Sequence, residues 1–196
     1  MSERAASDVF FSIIPLMAHP ENDSRPPVEI GNGSRPPVEN GGAARPLLAL
    51  GIATVGGVGY SPIAPGTAGS AAGLVLWWIL PSTAAVQAIA IVALFLLGSW
   101  SGSVAERYYR RTDPGHVVID EVMGMLITLF MNPVGWRGAL AAFFLFRLFD
   151  VIKPYPANRL EKLHGGVGVM ADDGMAAVYA NLALRAALAL GTRIAG

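Results

Sequence analysis

The sequence contains no cysteine, and its charged residues are few and balanced. Only 14% of its 196 residues are charged, against about 25% in typical soluble domains. Basic and acidic residues cancel to a formal net charge of zero. The lack of cysteine excludes disulfides, thiolate metal ligands and a cysteine nucleophile. The lack of a basic excess argues against a nucleic-acid partner.

Several familiar catalytic and nucleotide-binding motifs are also missing. The histidines, at positions 19, 116 and 164, form no paired motif with nearby arginines, and no Asp-x-Asp sequence occurs. The segment GGVGYSPIAPGTAGS (56–70) lacks both the third glycine of a dinucleotide fingerprint and the lysine of a phosphate-binding loop. Hydrolytic chemistry on a phosphate ester would therefore need a metal-activated water held by carboxylates.

What the chain has in excess is apolar sequence. Hydrophobic residues make up 53% of it, and the mean hydropathy is +0.49, a composition typical of membrane proteins. Some of the apolar runs are shorter than the roughly 20 residues that a straight span needs. We therefore predict an all-α, polytopic helical membrane bundle in which some helices are half-spans. Its five predicted helices are 67–80, 84–102, 122–135, 138–151 and 174–194.

The first 46 residues differ from the rest. They contain the repeat SRPPVE at 24–29 and 34–39 and are rich in proline, glycine and asparagine. This composition predicts a disordered tail, residues 1–46, before a helical membrane domain, residues 47–196. The apolar stretch VFFSIIPLM (9–17) leaves a cleaved signal as the alternative, although acidic flanks and the lack of a clear cleavage site disfavour it.

The charges of the predicted domain are concentrated in two stretches. All carboxylates after residue 47 lie within Glu106–Glu121 and Asp150–Asp173, together with most of the basic residues. The positive-inside rule places both stretches on the cytoplasmic side. Alternating helices then bring the loop GYSPIAPGT (59–67) to the same side. We predict that one membrane face carries the chemistry.

The segment RLFDVIKPYP (147–156) ends a very apolar helix with charged residues. Arg147, Asp150 and Lys153 recur every three residues, so they share one broad helix face. Pro154 disfavours helix at Lys153. One interpretation is a helix-end ion pair with a snorkelling lysine. The other is a phosphate clamp, in which Arg147 is a planar donor and Asp150 orients it or holds a metal.

Two acidic pairs stand beside apolar helices. Asp120 and Glu121 begin the run VMGMLITLF, and Asp172 and Asp173 follow a glycine-rich loop at the predicted entrance of the last helix. Helix-dipole complementation and N-capping are the alternative interpretations. With Asp150, these four residues offer the oxygen ligands that Mg²⁺ prefers.

The segment before and within the first predicted helix has two further features. Thr67 or Ser70 is suited to hold a phosphate oxygen at the helix N-terminus, although plain capping explains either residue as well. The stretch GSAAG (69–73) is a small-residue face that favours close helix packing.

Four segments in this order resemble the phosphatidylglycerophosphatase A family: GYSPIAPGTAGS, DPGHVVIDEVMGM, FRLFDVIKPYP and HGGVGVMADD. The resemblance covers about residues 47–190. The chain departs from the family pattern at Gly174, where a branched residue is more typical, and at Ala176 and Ala177, where an Ala-Gly pair is usual. The resemblance points to a polar site made of Asp113, Asp120, Glu121, Arg147, Asp150, Lys153, Asp172 and Asp173, with Pro65, Gly66 and Thr67 shaping the first loop.

The resemblance implies a Mg²⁺-dependent lipid phosphatase. It would hydrolyse phosphatidylglycerophosphate to phosphatidylglycerol and inorganic phosphate, in phospholipid biosynthesis, at the cytoplasmic face of a bacterial inner membrane. The predicted metal ligands are Asp120, Glu121, Asp150, Asp172 and Asp173. The predicted substrate-binding residues are Arg147, Lys153, Thr67 and Asp113.

The catalytic carboxylates are predicted among Asp172, Asp173 and Asp120, with the general base in the Asp172/Asp173 pair. The alternative function is a non-enzymatic small membrane transporter or lipid-binding scaffold. A transporter would need polar groups near the middle of the bilayer, where the sequence offers little beyond Arg185.

Overall fold

The computed structural model describes residues 44–160, 163 and 165–195. Within these residues every regular element is helical, which confirms the all-α prediction. The described residues belong to one compact unit, Gly42–Gly196. The SRPPVE repeat and nearly all of the predicted tail lie outside the described residues, so the prediction of disorder there stays a prediction.

Seven α-helices and one 3₁₀ turn make up the described part of the chain. The 3₁₀ turn is Val58–Tyr60, between the first two α-helices. The α-helices are α1 (Ala44–Ala53), α2 (Pro65–Ile79), α3 (Ala84–Tyr109), α4 (Ile119–Leu129), α5 (Trp136–Ile152), α6 (Ala157–Leu160) and α7 (Gly166–Ala195).

The five helices predicted from the sequence correspond to α2, α3, α4, α5 and α7. Helix α1 was not predicted from the sequence, because its short segment ARPLLALGIA directly follows the polar tail. It also placed the start of the last helix near residue 174, whereas α7 begins at Gly166. The glycines of HGGVGVM had suggested a loop, but Gly166 and Gly168 belong to the helix.

The short helix α4 is the centre of the bundle. Most of its residues are buried, and it contacts α2, α3, α5 and α7. Met123, Met125, Leu126 and Leu129 are almost completely buried there. A helix buried on all sides reads as a continuous apolar run, which explains the sequence VMGMLITLF.

Glycines on α2 let it approach α4 closely. A Cβ atom at Gly69 would lie 2.8 Å from Cβ of Val118, and one at Gly73 would lie 2.8 Å from Cβ of Met125. Such separations are too short for real side chains, so only glycine fits at this crossing. The packing role predicted for the segment GSAAG is therefore confirmed.

A second close approach fixes the start of α7 against α3. The backbone N–H of Gly166 donates a hydrogen bond of 2.9 Å to Oγ of Ser103, whose hydroxyl donates in turn to the carbonyl of Ser99 at 2.8 Å. A Cβ atom at Gly166 would lie 2.7 Å from the backbone nitrogen of Ser103. The glycine thus allows a neighbouring helix to cap the first turn of α7.

Two of the helices are long and apolar enough to cross a membrane: Ala84–Tyr109, and the part Gly166–Gly191 of α7. The remaining helices in the described part are shorter, so five complete spans are not supported. Large apolar side chains nevertheless point outward, among them Leu96 with 62% of its surface exposed and Phe144 with 66%. An outward-facing apolar surface of this kind fits a hydrocarbon environment better than water.

We predict that Gly73→Leu destabilises the protein. Its side chain would overlap α4, and overpacking of a core contact costs about 1–3 kcal/mol of unfolding free energy. Thermal unfolding in detergent measures the loss. Gly191→Leu is the matched control, because no atom lies within 4 Å of a Cβ at that position. Equal melting temperatures for the two variants would contradict the close-packing explanation.

Candidate active site

Five carboxylates gather at one end of the bundle. They come from the start of α4, the last turn of α5 and the second turn of α7. All except Glu121 are at least nine-tenths buried, and the Glu121 side chain is only 13% exposed. We term this group the carboxylate cluster: Asp120, Glu121, Asp150, Asp172 and Asp173.

Three members of the cluster could hold a metal ion together. One carboxylate oxygen from each of Asp120, Glu121 and Asp173 lies within 4.8 Å of the other two. Each of these residues also has a buried oxygen without a hydrogen-bond partner in the described structure: Oδ1 of Asp120, Oε2 of Glu121 and Oδ2 of Asp173. Leaving buried polar atoms unpaired costs free energy. Hard divalent cations prefer such oxygen ligands.

The pKa values of the two carboxyls at the start of α4 are raised. Burial raises the pKa of the Asp120 carboxyl well above its usual value, and the negative charges of Glu121 and Asp173 raise it further. Burial also raises the pKa of Glu121, although contact with Asp120 and the charge of Arg147 oppose this shift. Both carboxyls therefore give up their protons less readily than in water. A bound cation would reverse this effect, because it stabilises the ionised forms.

Arg147 balances part of the negative charge. Its Nη1 lies 2.7 Å from Oδ2 of Asp150 and 3.8 Å from Oε1 of Glu121. Gly66, in the first turn of α2, packs against the same guanidinium: a Cβ atom there would lie 3.1 Å from both terminal nitrogens and would overlap Oε1 of Glu121. The glycine thus brings the α2 N-terminus next to the arginine.

Lys153 contacts a different helix from the one that carries it. It ends α5 in a left-handed conformation, with a φ angle of 43°, and its Nζ lies 2.5 Å from Oδ2 of Asp172 on α7. Arg147 and Asp150 pair on α5, as the three-residue spacing predicted. The segment RLFDVIKP therefore supplies ion pairs within α5, to α4 and to α7.

Asp172 and Asp173 are interior helix residues. The sequence analysis considered one of them as an N-cap, and this alternative is wrong because α7 begins at Gly166. Neither residue is near enough to the helix start to cap it. Their burial, at 3% and 4% exposure, instead belongs to the carboxylate cluster.

The remaining predicted residues lie around the cluster. Thr67 is exposed in the first turn of α2, and the hydroxyl of Ser70 donates a hydrogen bond of 2.9 Å to the Gly66 carbonyl. Asp113 is exposed in the α3–α4 connection, where its N–H donates to Oε1 of Glu106. Its negative charge still acts on Asp120.

Sequence reasoning missed an aromatic group beside the α3–α4 connection. The hydroxyls of Tyr60 and Tyr109 are 2.6 Å apart, and the His116 ring packs against both tyrosine rings. Nδ1 of His116 lies 3.2 Å from the Gly59 carbonyl oxygen. Tyr60 is far in the sequence from its two partners, so no local sequence pattern predicts these contacts. They give His116 a packing role.

The fold and the site define a class: a helical, membrane-type protein with a buried acidic centre beside an arginine and a lysine, suited to act on a phosphate ester. The profile of the phosphatidylglycerophosphatase A family matches residues 51–188. The chain belongs to this family, as its four motifs indicated. It is therefore an enzyme of the phosphatase type, and the transporter or scaffold alternative loses its support.

Three curated relatives are similar over most of their own length. A Bacteroides thetaiotaomicron protein with the provisional name phosphatidylinositol-3-phosphatase is 42% identical over 65% of this chain and 86% of its own. The Haemophilus influenzae phosphatidylglycerophosphatase A is 42% identical, covering 68% and 82%. The Escherichia coli phosphatidylglycerophosphatase A is 34% identical, covering 67% and 76%. No solved structure matches the chain.

We predict that Lys153 and Asp172 are energetically coupled. Lys153→Met would leave the buried Asp172 carboxylate without its cation, which costs about 1–3 kcal/mol of stability. Adding Asp172→Asn should recover part of that loss, because the unpaired charge is removed. Chemical unfolding of the two single variants and the double variant gives the coupling free energy. Strictly additive losses would show that the ion pair contributes no stability.

Proposed function

We propose that the protein is a Mg²⁺-dependent phosphatidylglycerophosphate phosphatase. It removes the terminal phosphate to give phosphatidylglycerol and inorganic phosphate, a step of phospholipid biosynthesis. The main support is the trio of buried, unpaired carboxylate oxygens on Asp120, Glu121 and Asp173. The names of two relatives supply the substrate.

The donor set fits a magnesium ion. Asp120, Glu121 and Asp173 would hold it, while Asp150 stays paired with Arg147 and Asp172 with Lys153. Asp150 and Asp172, which the sequence analysis also proposed as ligands, are thereby assigned to positioning and proton transfer. When bound, the ion would act as a Lewis acid that neutralises negative charge on the phosphate.

The side chains of the chain itself would carry the remaining steps. Arg147, oriented by Asp150, would bind phosphate oxygens through its planar set of donors, and Lys153 would add a second positive charge. Asp172 would take a proton from the attacking water as the new P–O bond forms. The ester P–O bond then breaks, and the leaving glycerol oxygen takes up the proton that Asp172 had accepted. Thr67 and Asp113, exposed at the edge of the site, would contact the headgroup.

The same proposal includes a membrane topology. Helices α3 and α7 would cross a bacterial inner membrane, with the carboxylate cluster at the cytoplasmic interface and the shorter helices packed between them. Arg107 in the last turn of α3, and Arg110 and Arg111 directly after it, are found at the same end of α3 as Asp113. A cytoplasmic position for this end follows from the positive-inside rule.

We predict that phosphate release from phosphatidylglycerophosphate requires Mg²⁺ and stops with EDTA. Asp173→Asn should lower release about 100-fold or more, because the ion that neutralises the phosphate would lose one of its three ligands. Glu106→Gln, which changes an acid outside the cluster, is the control. Malachite-green detection of phosphate in detergent measures the rates. Full activity of Asp173→Asn in EDTA would exclude this mechanism.

A binding measurement tests the metal site without turnover. Mg²⁺ at 100 times its Kd should stabilise the wild type by about 2.7 kcal/mol, visible as a rise in Tm. Asp120→Asn should remove most of this rise, whereas Glu106→Gln should keep it. If Asp120→Asn and the wild type respond equally to Mg²⁺, the ion binds elsewhere.

Competition among lipids tests the substrate. Phosphatidylglycerophosphate should be hydrolysed in preference to phosphatidylinositol 3-phosphate, the class named by the Bacteroides relative, and to phosphatidic acid. Equal amounts of the three lipids in mixed micelles, with product analysis by mass spectrometry, give the order directly. A preference for the inositol lipid would support phosphatase activity but contradict the proposed substrate.

A further inference from the structure

An apolar slot opens beside the carboxylate cluster. It has a volume of about 390 Å³, and every residue that lines it is apolar. The walls come from α3 at Ile91 and Phe95 and from α7 at Met170 and Val178, and α4 contributes Met123. We refer to this cavity as the apolar slot. No step of the proposed mechanism uses it.

The slot begins where the cluster ends. On α4, Asp120, Met123 and Ile127 follow one another on one helix face. With a rise of 1.5 Å per residue, Met123 lies about 4.5 Å and Ile127 about 10 Å along the helix from Asp120. Polar and apolar lining are therefore continuous along this face of α4.

The mouth of the slot lies between the two helices that are long and apolar enough to cross a membrane. Val92 on α3 is 58% exposed and Val178 on α7 is 41% exposed, whereas Met123 and Met170 at the floor are 1% exposed. In the proposed topology this mouth opens sideways into the hydrocarbon of the bilayer. A lipid could enter it without leaving the membrane.

The lining suits a flexible hydrocarbon chain. Methionines at 123, 170 and 175 contribute to it, and methionine adapts to irregular apolar surfaces because its side chain is unbranched and polarizable. Gly174 keeps the slot open: a Cβ atom there would lie 3.5 Å from Cε of Met123, so a larger side chain would enter the cavity.

We propose that the apolar slot binds one acyl chain of the lipid whose phosphate ester meets the carboxylate cluster. This inference rests on the proposed function, since it takes the substrate to be a phospholipid. The slot would fix the lipid against α4 and α7, while the headgroup bends back to the cluster. The protein would thereby bind the substrate lipid in preference to bulk lipid, because the headgroup of bulk lipid has no partner in the carboxylate cluster.

Photo-cross-linking tests the slot directly. Phosphatidylglycerophosphate with a diazirine in one acyl chain is placed in nanodiscs of phosphatidylcholine with the full-length wild-type protein and Mg²⁺. Both substrate and product keep the chain, so turnover does not remove the probe. Labelled peptides should contain Met123 or Met175. Phosphatidylcholine with the same diazirine chain should label these positions about tenfold less, because a bulk lipid gains little by leaving its neighbours.

Filling the slot should reduce the labelling. Gly174→Leu projects a side chain over Met123, and Ile91→Phe fills the slot from α3, far from Asp173. Both should lower labelling about tenfold, to the level of bulk lipid. Ala141→Leu enlarges an exposed side chain on α5 and should leave the labelling unchanged. The Mg²⁺-dependent rise in Tm of each variant reports whether the cluster keeps its geometry.

The outcomes separate the two proposals. Phosphate release by the wild type without preferential slot labelling would overturn the slot and retain the phosphatase. Equal labelling by both lipids, or cross-links joining two protein copies through this face, would overturn it as well. Slot labelling that depends on the phosphate headgroup, in a protein that releases no phosphate from it, would retain the slot as a lipid site and overturn the hydrolytic function.

Discussion

The structure depends on holding several negative charges in an apolar environment. Five carboxylates share one end of the bundle with Arg147 and Lys153, and all of them except Asp150 have a buried oxygen without a hydrogen-bond partner among the described residues. Removing charges from water is costly unless they are paired. The two basic side chains offset part of this cost, and a metal ion bound as proposed would offset more of it.

Close helix packing makes this concentration of charge possible. Glycines at 66, 69 and 73 bring α2 against α4 and Arg147, and Gly166 brings α7 against α3. At Gly69, Gly73 and Gly166 the neighbouring backbone comes closer than a Cβ atom would allow, whereas Gly66 leaves room for the charged ends of Glu121 and Arg147. The carboxylates on α4 and α7 are consequently held by rigid helices rather than by loops. Rigid placement preserves the distances that a metal site needs.

The sequence allowed much of this to be predicted, because the strongest signals are local. Apolar runs defined most helices, and the spacing of Arg147 and Asp150 gave their ion pair. The predicted start of α7 was wrong because HGGVGVM has the composition of a loop. In the structure Gly166 of this segment instead allows a close contact with Ser103, which lies more than 60 residues earlier in the chain. The Lys153–Asp172 pair was equally inaccessible, since it joins two helices whose relative position only the folded bundle defines.

A phosphorylated lipid poses a physical problem that this arrangement answers. Its phosphate needs charged partners, whereas its acyl chains are stable only in hydrocarbon. On α4 both requirements are met within about two turns, because Asp120 precedes Met123 and Ile127 on the same face. A soluble active site would have to extract the whole lipid from the membrane. In the proposed topology, a polar cluster at the end of a membrane-facing slot needs to attract only the headgroup, so the acyl chains are never exposed to water, which would be costly.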